Sequence, residues 1–408
     1  MSAINEELCI KCKGRGWCKL PCMILSQIKK YQPKVKTEFS GSSPPEVFVG
    51  HYNYPYVFTG ILAPNEYGET EKLSMPELWH AEQASITDIL SYRSRMIYSR
   101  FTTAITDSRS MQQSKLLDLM QEIAMANKAV DAAFTLKKKP TVKIQLDKHI
   151  AMIGNPAPLK SAKLESNPKI EPKVDYLVND TDAKAVDAIK ELYQSGIAVS
   201  NIIKILSAGI LGLKYQRKLV PTRWAVTATD DSISKQLLEK IRSYPQLSEY
   251  LLFHANYLGN YYNILLMPGS WSFEVIEASS KGYFGKTDRV GMWHDYEFFY
   301  GRKKYASSVT GAYYANRVAI CEYLEKIKRQ ASCLVMREVR DEYWAPCGVG
   351  ILREVTRAAM QSKPKKFSSI EEAMKACQAK FKLPINVYKD RSKILNSLKT
   401  QTRLTKFL

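Results

Sequence analysis

The sequence contains no apolar run long enough to cross a membrane. Its longest hydrophobic stretch, Ile202 to Leu213, is interrupted by Lys204, whereas a transmembrane helix needs about 20 predominantly apolar residues. The first residues are polar and then rich in cysteine, without the apolar centre of a secretory signal. We therefore expect a cytoplasmic protein with no membrane partner. Its eight cysteines should be thiols or metal ligands rather than disulfides.

Familiar catalytic motifs are also missing. There is no His-Glu-x-x-His pair and no dinucleotide-binding glycine fingerprint after a strand. Gly285-Lys286-Thr287 resembles the end of a phosphate-binding loop, but Ser280 occupies the position of the first glycine that such a loop requires. Motifs alone therefore leave open whether the protein is an enzyme.

Negative charge is scarce, above all near the C-terminus. The chain has 60 Lys and Arg against 40 Asp and Glu, a formal net charge of +20. Residues 361–408 contain twelve basic residues and three acidic ones, Glu371, Glu372 and Asp390. Such an excess favours a polyanionic partner, and nucleic acid is the first candidate.

Half of the cysteines fall within fourteen residues near the N-terminus. They are Cys9, Cys12, Cys18 and Cys22. Gly14 and Gly16 lie between the two pairs, where a tight turn needs backbone freedom. Four thiolates can close a tetrahedral shell around Zn²⁺, and a closed shell is structural rather than catalytic. The spacing predicts a small four-cysteine zinc module over residues 1–30. An iron–sulfur cluster is the alternative, because it also uses four cysteines.

Hydrophobic periodicity predicts an α+β protein, a mixed body with an antiparallel sheet, flanking helices and a basic helical C-terminal tail. Long helices are expected from Pro76 to about Tyr98 and from about Ser110 to Phe134. Residues 154–175 contain four prolines among lysines and predict a linker or a long surface loop. Tyr388 to Lys399 predicts the last helix before the chain end.

A group of strands is expected in the second half of the chain. The runs Glu249–Tyr257, Tyr261–Met267 and Trp271–Ala278 are separated by turn residues and predict an antiparallel meander. Trp224–Thr227 also reads as a short strand. Helices are predicted from Gly311 to Arg329 and from Val349 to Met360.

Two polar clusters are candidate sites. The residues are His51, Asn53 and Tyr54 in the first cluster and His294, Asp295 and Glu297 in the second. The first lies in a turn between two predicted strands, where its groups could contact a base or a phosphate. The second could hold a divalent cation or exchange protons. For both, the alternative is a polar connection whose side chains serve only the local structure.

Two groups of basic residues could contact phosphates. They are Arg93, Arg95 and Arg100, and Arg302, Lys303 and Lys304. Arg93 and Arg100 are seven positions apart, so they share a face if the helix extends that far. The alternative is a solvated helix face with ion pairs along it.

The last eight residues resemble the peptide by which replication and repair proteins bind the sliding clamp PCNA. The matching positions are Gln401, Leu404, Phe407 and Leu408. One turn of 3₁₀ helix would place Leu404 and Phe407 on the same side, and Gln401 can donate and accept hydrogen bonds. Such peptides usually end in two aromatic residues, and Leu408 replaces the second. The alternative is an amphipathic terminus that matches by chance.

The chain as a whole resembles the archaeal Nre family of proteins associated with DNA repair. The resemblance rests on the cysteine motif CIKCKGRGWCKLPC, on Ser43–Gly50 followed by Tyr54-Pro55, on Pro76–Trp79 and on Gly311–Arg317. It implies an N-terminal family region over 31–282, a C-terminal one over 283–395 and a clamp-binding tail over 396–408.

The function that follows is a DNA repair factor that binds nucleic acid and docks on PCNA. The resemblance names no reaction. An enzyme acting on nucleic acid or a nucleotide, recruited by the clamp, is the alternative. A scaffold that binds RNA or the ribosome, with a chance match at its C-terminus, is a third possibility.

Overall fold

The computed structural model describes residues 6–14, 16, 18–110, 112–142, 147, 149–279 and 290–400. The chain forms two compact units, the first mainly residues 14–233 and the second mainly residues 234–344 and 352–408. Over the described ranges, no helix is both long enough and apolar enough to cross a membrane.

The first part of the chain, through α9, alternates short helices with six strands. Its elements are α1 (Glu6–Cys12), α2 (Met23–Tyr31), β1 (Glu38–Ser43), β2 (Val47–Val49), β3 (Tyr56–Pro64), α3 (Pro76–Ala81), α4 (Ile86–Arg95), β4 (Met96–Ala104), α5 (Lys115–Met125), β5 (Val130–Leu136), β6 (Pro156–Leu164), α6 (Pro172–Asn179), α7 (Ala185–Gln194), α8 (Val199–Ser207) and α9 (Thr222–Ile241). The strands form one sheet in the order β1-β5-β6-β4-β3-β2. Its β4–β6 pairing is parallel and the other pairings are antiparallel.

Strand β3 shows which face of this sheet is covered. Val57 and Thr59 are fully buried, whereas Tyr56 and Phe58, which alternate with them, are exposed. Helix α5 packs on the buried side, where the Thr59 hydroxyl lies 3.1 Å from Met120 Sδ. Because side chains alternate along a strand, Tyr56 and Phe58 point to the opposite face, which is open to solvent at this end of the sheet.

Several predicted helices in this unit are shorter than expected. The helix predicted from Pro76 to Tyr98 is two helices, and the prediction was wrong beyond Arg95, because the chain enters β4 at Met96. Ser85 caps the second helix, accepting a hydrogen bond from the amide of Asp88. The helix predicted to reach Phe134 likewise ends at Met125, and the following residues form β5.

The proline-rich segment 154–175 is not only a linker. Its first part is strand β6, in which Pro158 pairs with Arg100 of β4. Proline cannot donate to a ladder, but the carbonyl of Pro158 accepts a hydrogen bond of 2.8 Å from the amide of Lys137. Pro158 therefore occupies a position where only its carbonyl is needed.

The second unit is built on another six-stranded sheet. Its elements are β7 (Tyr250–Tyr257), β8 (Asn260–Met267), β9 (Ser272–Ser279), β10 (Gly291–Glu297), α10 (Gly311–Ile327), β11 (Ser332–Val339), α11 (Val349–Gln361), β12 (Lys365–Phe367), α12 (Ile370–Gln378), α13 (Asn386–Lys389) and α14 (Lys393–Thr400). The strand order is β10-β9-β11-β8-β7-β12. One face packs against the C-terminal helices through a buried cluster that includes Leu334, Met336, Met374, Tyr388 and Leu395.

The α+β class is confirmed, but the sheets are mixed rather than antiparallel. The three strands of the expected meander all exist, yet β8 and β9 are not neighbours. Strand β11 lies between them, antiparallel to β8 and parallel to β9. A parallel neighbour needs a long crossover, and α10, which precedes β11, is part of that connection.

The predicted last helix, Tyr388 to Lys399, is two short helices. The second, α14, begins beside Glu274, a fully buried carboxylate of β9. Glu274 accepts hydrogen bonds from the amides of Lys393 (2.7 Å) and Ile394 (3.1 Å) and from the hydroxyl of Ser392. A carboxylate from the sheet thus binds the free amides at the start of the helix.

Candidate nucleic-acid interface

The open face of the first sheet carries aromatic and basic side chains side by side. Tyr56 and Phe58 are 63% and 38% exposed. Arg100 pairs with Gly60 of β3 and with Pro158 of β6, so it shares their face. Lys160 lies two residues after Pro158, where β6 shifts its register against β5, and is exposed. We call Tyr56, Phe58, Arg100 and Lys160 the aromatic face.

The chemistry of the aromatic face matches that of an unpaired nucleic-acid strand. Exposed rings on a sheet can stack on bases, and neighbouring cations attract the backbone phosphates. Three further exposed lysines, Lys137 to Lys139, follow β5. The hydrogen bond from the Lys137 amide to the Pro158 carbonyl holds this segment beside β6. The positive charge therefore extends across two strands.

A cluster of two histidines, an arginine and an aspartate is formed at the turn that precedes β3. Arg223 is central: its Nη1 lies 3.1 Å from His51 Nε2 and 3.4 Å from Asp147 Oδ2, and its Nη2 lies 3.3 Å from His149 Nδ1. Asp147 Oδ1 lies 3.0 Å from His149 Nδ1. We call His51, Asp147, His149 and Arg223 the histidine cluster.

The charges of the histidine cluster fix which ring nitrogens carry protons. Burial acts to raise the pKa of Asp147, but hydrogen bonds from His149 and the charge of Arg223 outweigh it and lower this pKa to about 2. Burial and the charge of Arg223 lower the pKa of His51. Arg223 can only donate, so His51 Nε2 accepts. His149 Nδ1 faces both Arg223 and Asp147, and its closer partner is the ionised Asp147, which can only accept. Nδ1–H therefore donates to Asp147, and the 3.3 Å approach of Arg223 Nη2 is a contact rather than a hydrogen bond.

Two more aromatic side chains stand next to the histidine cluster. Tyr54 and Trp224 are 49% and 47% exposed, with ring centroids 5.6 Å apart. Trp224 lies in the first turn of α9, so the strand predicted for Trp224–Thr227 was wrong. Asn53, a predicted site residue, has a left-handed backbone with φ of 61°, a conformation that asparagine tolerates well. The turn geometry therefore accounts for this residue.

The three arginines predicted to share a helix have different environments. Arg93 is buried in α4, and its guanidinium binds Glu46 (3.1 Å) and the carbonyl of Met152 (2.9 Å). Because its charge is already paired inside the unit, we do not expect Arg93 to bind phosphate. Arg95 contacts Glu66 at the surface. Arg100 lies on β4 rather than on the helix and belongs to the aromatic face.

The second predicted cluster holds the fold of the second unit together. Asp295 and Glu297 share one face of β10, as predicted, and His294 points to the other. His294 Nε2 lies 2.5 Å from Glu274, and Glu297 binds the buried Arg317 at 2.8 Å. The three residues therefore do not converge on one ligand, and a divalent cation site among them is not supported.

Asp295 organises the surface loop that follows β10. Its carboxylate accepts hydrogen bonds from the amides of Ser308 (2.9 Å) and Val309 (2.7 Å) and from Arg302 Nη2 (3.0 Å). Arg302 also donates to the carbonyl of Tyr296 at 2.7 Å. Arg302, predicted to bind phosphate, is thus engaged in closing the loop.

Residues 298–305, which we call the aromatic loop, present rings and cations to solvent. Tyr300 is 95% exposed, and Phe298 and Tyr305 are also exposed. Lys303 and Lys304, both predicted to bind nucleic acid, are exposed beside them. This loop resembles the aromatic face in chemistry, although it belongs to the other unit.

Comparison with known proteins identifies the family. The family model described as "Archaeal Nre, N-terminal" matches residues 17–284, and "Archaeal Nre, C-terminal" matches residues 297–407. The chain belongs to the archaeal Nre family. It is 35% identical over 395 residues to the DNA repair protein NreB of Archaeoglobus fulgidus, covering 97% of this chain and 98% of that protein.

Two NreA relatives agree with this assignment. The DNA repair protein NreA of Archaeoglobus fulgidus is 34% identical over 372 residues, or 90% of this chain and 92% of the relative. The DNA repair protein NreA of Haloferax volcanii is 34% identical over 349 residues, or 83% of each chain. No solved structure was found to be similar to the chain.

The N-terminal Nre match begins at residue 17, within the cysteine motif. Cys9 and Cys12 lie on α1 and are buried, whereas Cys18 and Cys22 are half-buried. Among the described residues, no three His, Cys, Asp or Glu side chains form a group suited to a metal ion. Thiolates fit zinc chemically, but a four-cysteine module is not shown.

The residues predicted to bind the clamp lie in the last eight positions of the sequence. Gln401, Leu404, Phe407 and Leu408 fall outside the described residues. The C-terminal Nre match extends to residue 407 and so includes most of them. The structure describes the chain as far as α14, which ends at Thr400.

The sequence alone did not predict most residues of the aromatic face and the histidine cluster. The overlooked residues are Tyr56, Phe58, Asp147, His149, Lys160, Arg223 and Trp224. One usable signal existed, the alternation Tyr56-x-Phe58 in a predicted strand, which places two rings on one face. The histidine cluster had no local signal, because its members come from three separate parts of the chain.

Proposed function

We propose that this Nre protein acts in DNA repair by binding DNA through the aromatic face. The observation that carries the proposal is the open sheet face on which Tyr56 and Phe58 stand beside Arg100. The names of the three relatives, all DNA repair proteins, favour DNA as the polyanion. The net charge of +20 agrees with such a partner.

Fluorescence anisotropy with a labelled single-stranded DNA tests this proposal. Loss of one stacked base costs about 1–3 kcal/mol, so the double variant Tyr56→Ala/Phe58→Ala should bind at least tenfold more weakly. Tyr176 is also exposed and, like Phe58, has a cationic side chain over its ring, Lys173, but it lies on α6. The matched control Tyr176→Ala should bind like the wild type. Equal affinity of all three proteins would contradict the proposal, and a preference for RNA would favour a scaffold instead.

The aromatic loop supplies a second DNA contact in this proposal. Tyr300 is almost fully exposed, and Lys303 and Lys304 follow it in the sequence. Asp295 binds Arg302 and the amide of Ser308 and so holds the loop backbone in place. Contact between Tyr300 and DNA therefore costs little conformational entropy of the loop backbone. The variant Tyr300→Ala should weaken DNA binding, whereas Tyr215→Ala, an exposed tyrosine of the first unit, should not.

Residues 401–408 are proposed to dock the protein on the sliding clamp PCNA. Support comes from the spacing of Gln401, Leu404 and Phe407 and from the basic character of the preceding segment. Calorimetry should show clamp binding by the full chain and none after deletion of residues 401–408. Phe407→Ala should abolish binding, while Thr405→Ala, between the matching positions, should retain it. Unchanged affinity after the deletion would disprove docking.

The four N-terminal cysteines are proposed to bind one structural zinc ion. Cys9, Cys12, Cys18 and Cys22 offer four soft thiol ligands, and a bound metal would stabilise a segment with little core of its own. Elemental analysis of the purified protein should give one zinc per chain, falling to none in Cys9→Ser/Cys12→Ser. An iron content with visible absorption would indicate the cluster alternative instead.

A further inference from the structure

We propose that the histidine cluster is a catalytic centre that hydrolyses a phosphodiester bond of the single strand held on the aromatic face. This inference rests on the proposed DNA binding and adds a reaction to it. The cluster combines a positioned imidazole, a cationic donor and neighbouring exposed rings, which are the parts that such a reaction requires.

His149 has the arrangement of a general base. Its Nδ1–H donates to Asp147 Oδ1 over 3.0 Å, which leaves the lone pair of the neutral ring on Nε2. Nε2 makes no hydrogen bond to any residue in the described ranges. The Asp147 carboxylate therefore orients the ring and stabilises the imidazolium that forms when Nε2 takes a proton.

Arg223 has the arrangement of an electrophilic donor. Its side chain is 28% exposed, so a phosphoryl oxygen can reach it. It stands between His51 and His149, which puts the charge beside the base. Arginine binds phosphate oxygens with two parallel N–H groups and does not lose its proton at any physiological pH. It can therefore stabilise the negative charge that develops at phosphorus.

The substrate class follows from the surroundings of the cluster. Tyr54 and Trp224 are exposed, and Trp224 directly follows Arg223 in α9. Tyr54 leads into β3 two residues before Tyr56 of the aromatic face. A strand stacked on these rings would carry its phosphates past Arg223. Bases that can stack in this way are unpaired ones.

The reaction balances with water alone. His149 Nε2 accepts a proton from a water molecule while the water oxygen forms a bond to phosphorus. The bond from phosphorus to one sugar oxygen breaks, and that oxygen keeps the electron pair and takes a proton from solvent. The imidazolium then returns its proton to solvent. The products are one strand ending in a phosphomonoester and one ending in a hydroxyl.

Cleavage of an end-labelled single-stranded DNA by the full-length protein tests the proposal. General base catalysis contributes about 10²–10⁴-fold, so His149→Asn should lower kcat at least 100-fold with KM little changed. Asp147→Asn should lower kcat with KM little changed, because the amide no longer orients the His149 ring or stabilises the imidazolium that forms on it. Tyr176→Ala, outside the cluster, should cleave at the wild-type rate.

A second substrate separates this inference from the proposed function. Bis(p-nitrophenyl) phosphate is a small phosphodiester that does not need the aromatic face. Its hydrolysis by the wild type but not by His149→Asn, with equal melting temperatures, would support the centre even if DNA binding failed. DNA binding without cleavage of either substrate would overturn the inference and leave the proposed function intact. Cleavage by His149→Asn at the wild-type rate would also overturn it.

Discussion

The guanidinium of Arg100 lies over the ring of Phe58, with its central carbon 4.2 Å from the ring centroid. The two residues are diagonal neighbours on β4 and β3, because Phe58 pairs with Thr102. The contact places the half-buried arginine over an exposed ring. A cation fixed in this way next to an aromatic surface can bind a phosphate without first being ordered.

We expect Arg100→Gln to reduce the salt dependence of DNA binding. Each phosphate contact on a single strand contributes about 0.7 to the slope of log affinity against log salt concentration. Anisotropy titrations at several salt concentrations should show a loss of about this size. Lys184→Gln, at the start of α7, removes an equal charge elsewhere and should leave the slope unchanged. A slope equal to that of the wild type would place Arg100 outside the interface.

The ion pair of Asp147 should make the first unit sensitive to acid. The pKa of this carboxyl falls from 3.8 to about 2 in the folded protein. A lowered pKa contributes stability above the unfolded value, and this contribution disappears as the pH falls from about 4 towards 2. The shift corresponds to about 2 kcal/mol. Urea unfolding of the wild type and Asp147→Asn should differ by about this amount at pH 6 and converge near pH 2.

Removing the Asp295 carboxylate should loosen the aromatic loop. Asp295→Ala leaves the amides of Ser308 and Val309 and the side chain of Arg302 without their acceptor. We expect a loss of about 2 kcal/mol in the free energy of unfolding, together with faster tryptic cleavage at residues 302–304. Lys303→Ala, which changes only an exposed side chain, should show neither a loss of stability nor, at the remaining sites, faster cleavage. A loop equally resistant in Asp295→Ala would mean that other contacts hold it.

The start of α14 should depend on Glu274. Glu274→Gln replaces one accepting oxygen with a donor facing the amides of Lys393 and Ile394, and we expect a cost of about 2 kcal/mol. Hydrogen exchange should become faster over residues 393–398. Glu249→Gln breaks a surface pair with Lys366 instead and should cost about 0.5 kcal/mol or less. Unchanged exchange in Glu274→Gln would show that side-chain packing alone fixes the helix.

Elements with a clear hydrophobic period could be predicted from the sequence. Helices α10 and α11 and strands β7 to β9 all lie close to their expected positions. Their amphipathic or alternating patterns are local properties, and the fold satisfies them. The neighbours of a strand are not local, however. Strand β11 lies between β8 and β9 because the connection from β9, which includes α10, leads the chain back to that position. No residue pattern within β7 to β9 predicts the insertion of this strand.

The candidate site was harder to predict because it depends on which faces stay open. Phe58 and Val57 are both apolar, but one is exposed and the other fully buried. Only the position of α5 on one side of the sheet decides between them. Conversely, His294 and Glu297 looked functional in sequence. Instead, His294 contacts Glu274, and Glu297 forms an ion pair with Arg317. Both partners are distant in the sequence.

The attachment of α14 to the second sheet limits how far the chain end can reach. The helix ends at Thr400, and residues 401–408, if fully extended, would span at most about 28 Å. A clamp that binds this end must stand within that distance of the second unit. If the Glu274 contact were released and the eight residues of α14 became extended, the limit would double to about 55 Å. If the proposed docking occurs, this one buried carboxylate limits the distance between the second unit and the clamp.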